Sequence, residues 1–331
     1  MVKVKTNNVT VKNNPVKEFF ISYPAVAIII LLVVAFAALA PGFLSVGTFQ
    51  IITKGNAYLL IAAVAETLII LTGGIDLSVS TVMALGAVMA CVVMDAMGAG
   101  AGSMVVGILV ALGVGLVFGI FNGVFVGHFG MQSFVVTMGT RLIAQGSAKA
   151  LTKSVAIPGP DAAMRFGFHK TLGIPTVFII AVVIMLIMAI VVKQSKWGRE
   201  LILFGANKES AIYCGINVKK VEIIAYVLSG LLSGIAGFFT ILVLGVGQPT
   251  IGEVNLLIII GAVVLGGTSM TGGEGSVART FIGILLLGIL SAGLNVFVVP
   301  LAMQMIIQGL IIFIGYGLAI NVTAKSSSAV K

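Results

Sequence analysis

The sequence predicts an all-α polytopic membrane protein of about ten transmembrane or half-membrane helices. Three observations carry that prediction. Charged residues make up 9% of the 331 residues, against about 25% in a soluble domain. Hydrophobic residues make up 59%. The chain also carries 42 glycines, and small residues let membrane helices approach closely.

A spanning helix needs about 20 apolar residues. Ten segments meet or approach that length: Pro24–Ala40, Gly55–Thr72, Ser78–Met94, Met104–Val126, Met131–Leu151, Pro175–Val192, Val221–Leu242, Glu253–Leu265, Val277–Val298 and Leu301–Ile320. The third and eighth are short and border Gly-Gly breaks, so half-helical or re-entrant courses stand there beside full spans. The chain then divides into a tail over 1–23, a transmembrane domain over 24–321 with a long loop at about 193–220, and a tail over 322–331.

Ten spans place both termini on one side. Lys3, Lys5, Lys12 and Lys17, with Lys325 and Lys331, mark that side as cytoplasmic. The loop from Lys193 to Lys220 falls on the same side and holds six basic residues: Lys193, Lys196, Arg199, Lys208, Lys219 and Lys220. The stretch Thr152–Ile174 falls outside despite Lys153, Arg165 and Lys170, and Pro158-Gly159-Pro160 makes it turn-rich. The net charge of +9 therefore reads as membrane topology, and no nucleic-acid partner is expected. Met1–Lys17 and the apolar run after it lack a small-residue cleavage site, so no cleaved leader is expected. Cys91 and Cys214 are far apart and are expected to stay unpaired.

A weak internal repeat is visible. "GLVFGIFNGVFV" (Gly115–Val126) resembles "GILSAGLNVFVV" (Gly288–Val299), aligning Gly115 with Gly288 and Asn122 with Asn295. Gly73-Gly74 precedes the first copy and Gly266-Gly267 the second. Duplicated halves with broken helices are a transporter signature.

Within the break "LTGGIDLSVSTVMAL" (Leu71–Leu85), two glycines can end one helix, and Asp76 or Ser78 can cap the next. A polar lining on a solute path is the alternative for Asp76. Other polar groups inside the spans are Glu66, Asn122, Thr137, Arg141, Gln145, Asn295, Gln304 and Gln308. Asp76, Glu66, Asn122, Arg141, Gln145, Asn295 and Gln304 are the pathway candidates. A buried ion pair of Arg141 with Glu66 or Asp76 is one arrangement; interhelical hydrogen bonding is the plainer role for the amides. In the long loop, Gly205 and Gly215 bracket "ANKESAIYC". With Asn207 as cap, Lys208–Cys214 makes about two helical turns, fit either to dock on a partner or simply to lie in solvent.

No G-x-x-x-x-G-K-[S/T] phosphate loop occurs. With His128 and His169 the only histidines, no metal-ligand spacing or Ser–His–acid set can be composed. No enzyme activity, cofactor or metal is expected on this chain.

Three stretches together resemble a known family: "TGGIDLSVSTVMALGA" (Thr72–Ala87), "GRELILFGANKESAIYCGINVKKV" (Gly198–Val221) and "VVLGGTSMTGGEGSVARTFIGILLLGILSAGLN" (Val263–Asn295). They are similar to the membrane permease of ribose- and xylose-type ABC importers, with branched-chain amino acid and nucleoside permeases as more distant relatives. The resemblance runs from about Pro24 to Asn321. It implies a bacterial plasma-membrane protein working as two permease subunits, homodimeric or of two related chains. ATP-binding cassettes would carry ATP and Mg beneath them, and an extracytoplasmic protein would deliver a small polar solute, a monosaccharide before a nucleoside or amino acid. It implies that the loop with Gly205, Ala206, Asn207, Lys208, Glu209, Ala211 and Gly215 couples to the ATPase. The chain departs from the sugar members at Ser80 and Arg279, where glycine is expected. It departs again at Gln145, where members often carry Arg, and at Leu256 and Ile258, where they often carry Glu and Asp. These differences bear on the solute. An ion-coupled secondary transporter is the reading from another class, and it has no need of the Gly198–Val221 block.

Overall fold

The computed structural model describes residues 24–98 and 100–328. The lysines of the first tail, and Lys331, lie outside the described residues. Thirteen helices occur among the described residues. They are α1 (Pro24–Leu39), α2 (Val46–Leu71), α3 (Val79–Ala96), α4 (Ala101–Gly123), α5 (Ser133–Thr152), α6 (Asp161–Phe168), α7 (Thr176–Gln194), α8 (Lys196–Ala206), α9 (Lys208–Tyr213), α10 (Val218–Leu244), α11 (Ile251–Leu265), α12 (Val277–Val296) and α13 (Leu301–Ser328). Four two-residue strands pair in two antiparallel hydrogen-bonded patches, Ile157–Pro158 with Val246–Gly247 and Lys170–Thr171 with Ile174–Pro175.

Each of the ten expected spans is a helix. Six, namely α2, α3, α4 with its π-helical extension to His128, α7, α10 and α12, are long and apolar enough to cross a membrane; α1, α11 and the apolar part of α13 are shorter. The third expected span thus qualifies, with 18 residues. The eighth, α11, has 15 residues, about 22 Å at 1.5 Å per residue. α5 is 20 residues long but carries Arg141 and Lys149. The second span starts nine residues earlier than expected, at Val46 rather than Gly55, because Ser45 accepts from Thr48 N at 3.1 Å and caps it. Lys54 is accommodated inside that helix by lying 3.6 Å over the Phe168 ring.

α2 fixes the two ends of the bundle. Near its start, Gln50 donates to the Gly173 carbonyl at 3.2 Å and accepts from Lys170 Nζ at 2.7 Å. At its end, the Leu71 carbonyl accepts from Gly273 N at 3.0 Å and lies against Gly205. The helix is about 39 Å long, so the 153–175 excursion and the α8–α9 loop lie at opposite ends. The end with α8 and α9 is termed inner below.

α4 packs closely along α10. A Cβ on Gly115 would stand 2.1 Å from the Gly230 carbonyl oxygen, and one on Gly119 2.7 Å from that of Tyr226. Such close backbone approach is how membrane helices gain van der Waals contact where lipid removes the hydrophobic drive.

Contacts along the chain also set helix direction. α2 runs outer to inner, α3 back outward, α4 inward and α5 outward. α10 runs outward, α11 inward, α12 outward and α13 inward. Gly115–Val126 and Gly288–Val299 therefore sit in halves of opposite direction, the inverted form of a transporter repeat. This corrects the placement of the breaks. In the order α2–α5 against α10–α13, Gly73-Gly74 falls opposite Gly245–Thr250, between the first and second helices of each half. Gly266-Gly267 falls one connection later.

Candidate functional site

The polar residues gather in three places. The first is the break at Thr72–Ser78. After Leu71 the chain turns back along α2: Gly73 takes φ +81°, and the N–H groups of Gly73 and Gly74 donate to the Ile70 and Ile69 carbonyls. Asp76 N then donates to Glu66 Oε1 at 3.2 Å, Leu77 N to Thr137 Oγ1 at 3.2 Å, and Ser78 N to Asp76 Oδ1 at 2.8 Å. Ser133 Oγ donates to the Ile75 carbonyl at 2.7 Å, so the short Tyr226–Ser133 bond of 2.5 Å has Tyr226 as its donor. Buried backbone groups need partners, and in this break side chains from α2, α5 and Asp76 itself supply them.

Asp76 Oδ1 accepts from both the N–H and the hydroxyl of Ser78, the residue that stands at the N-cap of the restarted α3. Asn122 Nδ2 donates to that hydroxyl at 3.0 Å, which ties the end of α4 into the same knot. Ser229 of α10 adjoins Asp76. Glu66 is 0% exposed, Asp76 3% and Asn122 2%, so the knot is closed to solvent. Arg141 forms no ion pair with Glu66 or Asp76. It stands on α5 with its charge acting on Glu253 instead.

The second place is around Glu253, at the start of α11. Lys149 Nζ lies 2.6 Å from Glu253 Oε1, and Gln145 donates to the same oxygen. Gln145 and Lys149, one helical turn apart, share one face of α5, so both reach one carboxylate.

The third is a cavity of about 550 Å³ between α2, α11, α12 and α13, lined by Asn56, Asn255, Ser291, Asn295, Gln304 and Gln308 among others. Gln304 Nε2 donates to Asn295 Oδ1 and to the Val299 carbonyl, both at 2.8 Å, and Gln308 Nε2 donates to Ser291 Oγ at 2.8 Å. Asn56 and Asn255 went unremarked in the sequence. The available signal was an amide inside a long apolar run, the same signal that marked Asn295.

At the inner end the predicted loop helix is α9, capped by Asn207, whose Oδ1 accepts from Ser210 N at 2.8 Å. Gly215 follows at φ +78°, the left-handed residue that ends a helix. Gly205 does not bracket α9 from outside. It lies in the last turn of α8, where a Cβ would stand 1.9 Å from the Leu71 carbonyl and 2.6 Å from Gly273 N. It is a packing glycine that seats the loop on both breaks at once. Ala211 is buried, while Ile212 and Tyr213 are 52% and 91% exposed. A cavity of about 570 Å³ lies between this loop and the first break, lined by Gly73, Ser133, Lys208, Glu209 and Glu222 among others.

Among the sequence departures, Ser80 is buried with its hydroxyl unpartnered, and Gly252 packs on its carbonyl. Arg279 donates toward the Gly267 carbonyl at 3.5 Å. Leu256 is buried, and Ile258 lines the amide cavity.

The family model described as branched-chain amino acid transport system / permease component matches residues 47–315. The chain belongs to that family. This permease is 34% identical over 304 residues to the ribose import permease of Escherichia coli strain K12, covering 90% of this chain and 93% of that one. It is 33% identical over 301 residues to the fructose import permease of Bifidobacterium longum, covering 88% and 87%. It is 29% identical over 294 residues to the D-allose transport system permease of E. coli K12, covering 88% and 89%. No solved structure matches the permease.

Proposed function

We propose that this permease is the pathway subunit of an ABC importer for a monosaccharide. The carrying observation is similarity along nearly the whole chain to relatives named for ribose, fructose and allose. Two permease subunits, a homodimer or a related pair, enclose the path. An extracytoplasmic binding protein delivers the sugar at the outer end, and ATP with Mg is hydrolysed on a cassette subunit at the inner end.

The geometry supports α9 as the coupling element. Ile212 and Tyr213 present exposed apolar side chains on a basic, polar loop beyond the apolar helices, as a protein-docking surface does. Through Gly205 and Ala206, α8 touches the Leu71 end of α2 and Gly273 between α11 and α12. Movement of this loop by the cassette therefore reaches both breaks. The inner end faces the cytoplasm, as do both termini.

Two measurements test the reading. Vesicles holding the permease with its cassette and binding protein should take up labelled ribose, allose or fructose on ATP addition. Uptake of leucine with none of the three sugars rejects the monosaccharide assignment. Exposed Cys214 should react with an impermeant thiol reagent in inside-out vesicles and not in right-side-out ones. The reverse result overturns the orientation.

A further inference from the structure

We infer that the cavity between α2, α11, α12 and α13 is the subsite through which the permease handles its solute, and that its chemistry selects an uncharged polyol over a zwitterion. The inference rests on the importer reading above and assigns a place to its substrate.

The hydrogen-bond accounting carries it. Gln304 uses its Nε2 on Asn295 Oδ1 and the Val299 carbonyl. Its Oε1 and the Asn295 Nδ2 then have no protein partner among the described residues. Gln308 uses its Nε2 on Ser291, leaving its Oε1, and Asn56 uses its Nδ2 on the Ile52 carbonyl, leaving its Oδ1. Asn255 lines the cavity too, 5% exposed and with its amide beside Tyr58. The cavity therefore carries acceptors and a donor side by side: three amide oxygens, and the amide nitrogen of Asn295.

A hydroxyl both donates and accepts, so a sugar ring satisfies such a wall from either sense. A carboxylate needs donors or a cation, and an ammonium needs acceptors or an anion. No charged side chain lines this cavity among the described residues. An amino acid held there would keep both its charges unpaired in a low-dielectric site, which is costly. The volume of 550 Å³ lies in the range of about 300–1,000 Å³ usual for small-molecule sites. Polar side chains at membrane depth face a cavity or a partner rather than lipid, so the amide wall is wetted or covered in the working transporter.

The wall is also built around one glycine. A Cβ on Gly288 would stand 1.8 Å from Asn56 Nδ2, so the α12 backbone leaves the space that the amide fills.

The test uses the complete importer in vesicles, with labelled D-ribose, D-allose, D-fructose and L-leucine as probes. Asn255→Leu, and the isosteric Gln304→Glu, should each lower uptake of the transported sugar about tenfold, the effect of one or two lost hydrogen bonds. ATP hydrolysis stimulated by the loaded binding protein should stay within about twofold, since α9 and its seat are untouched. Asn255→Gln, which restores the amide, should recover most of the uptake. Wild-type uptake in both variants overturns the subsite. So does a parallel fall of uptake and ATP hydrolysis in assembled complexes, which is the mark of a structural role. If Asn255→Leu does not assemble, Gln304→Glu decides alone by the same two readouts. A wild-type importer that carries leucine and none of the sugars rejects the importer's sugar assignment itself, a result distinct from normal sugar uptake through altered cavities.

Discussion

Asn122 and Asn295 hold matching places in two halves that run in opposite directions, and they do opposite things. Asn122 ends α4 inside a closed knot, donating to Ser78, which bonds Asp76, whose backbone is held by Glu66. Asn295 ends α12 at the edge of an open cavity, accepting from Gln304. The paired glycines differ in the same way. Gly115 is pressed on the backbone of α10, whereas Gly288 is pressed on a side-chain amide. One half uses its polar and small residues to fix the scaffold beside the α8–α9 loop, and the other uses them to shape a space. Where two copies of one pattern diverge, the partner atoms decide the role.

The sharpest test of this contrast is alanine at the two glycines. At Gly115 the new Cβ meets a carbonyl that cannot swing away, so Gly115→Ala should destabilise the permease by about 3 kcal/mol, the upper end of ordinary overpacking. At Gly288 the Asn56 side chain can rotate, and Gly288→Ala should cost about 1 kcal/mol, the loss of one hydrogen bond. Thermal unfolding of the two variants in detergent measures the difference, and equal losses break the comparison.

Next come the asparagines. Asn122→Ala removes a buried donor from the knot and should cost about 1–3 kcal/mol. Asn295→Ala should change stability by no more than about 1 kcal/mol, because Gln304 keeps the Val299 carbonyl and the cavity can admit water. The same unfolding assay reads both, and a larger loss at Asn295 reverses the assignment.

Asp76 sharpens the first half alone. Asn ranks with Asp as a helix cap, so Asp76→Asn should keep assembly and uptake near wild type, while Asp76→Ala loses about 0.5–2 kcal/mol. A complex of Asp76→Asn that assembles normally but transports nothing assigns the charge to transport and sinks acceptance from Ser78 as the main role of Asp76. The smallest effect is at the Lys149–Glu253 pair, which is partly exposed. Lys149→Met should cost no more than about 1 kcal/mol, and a larger shift in unfolding temperature would show that this pair braces α5 on α11.

Local signals were legible in the chain. The spans followed from apolar length, the Asn207 cap from its place before a short helix, and the restart of a helix at Ser78 from two glycines before a carboxylate and two serines. What stayed hidden was which helix each polar residue meets. Glu66 and Asp76 are ten residues apart and touch because the chain re-enters along α2. Arg141 meets the field of Glu253, which lies far along the chain on α11. Gly205, read as a bracket, is a seat for two breaks.

The sequence by itself determined the solvent of this protein, its apolar helices, the Asn207 cap and its family, because composition, run length and short-range spacing act within one segment. Tertiary structure decided that Asn122 is scaffold and Asn295 is cavity wall. Lipid is as apolar as the helix surfaces it covers, so hydropathy does not separate an inward face from an outward one. Only the packing of α2, α11, α12 and α13 turns spare amide atoms toward a space large enough for a solute.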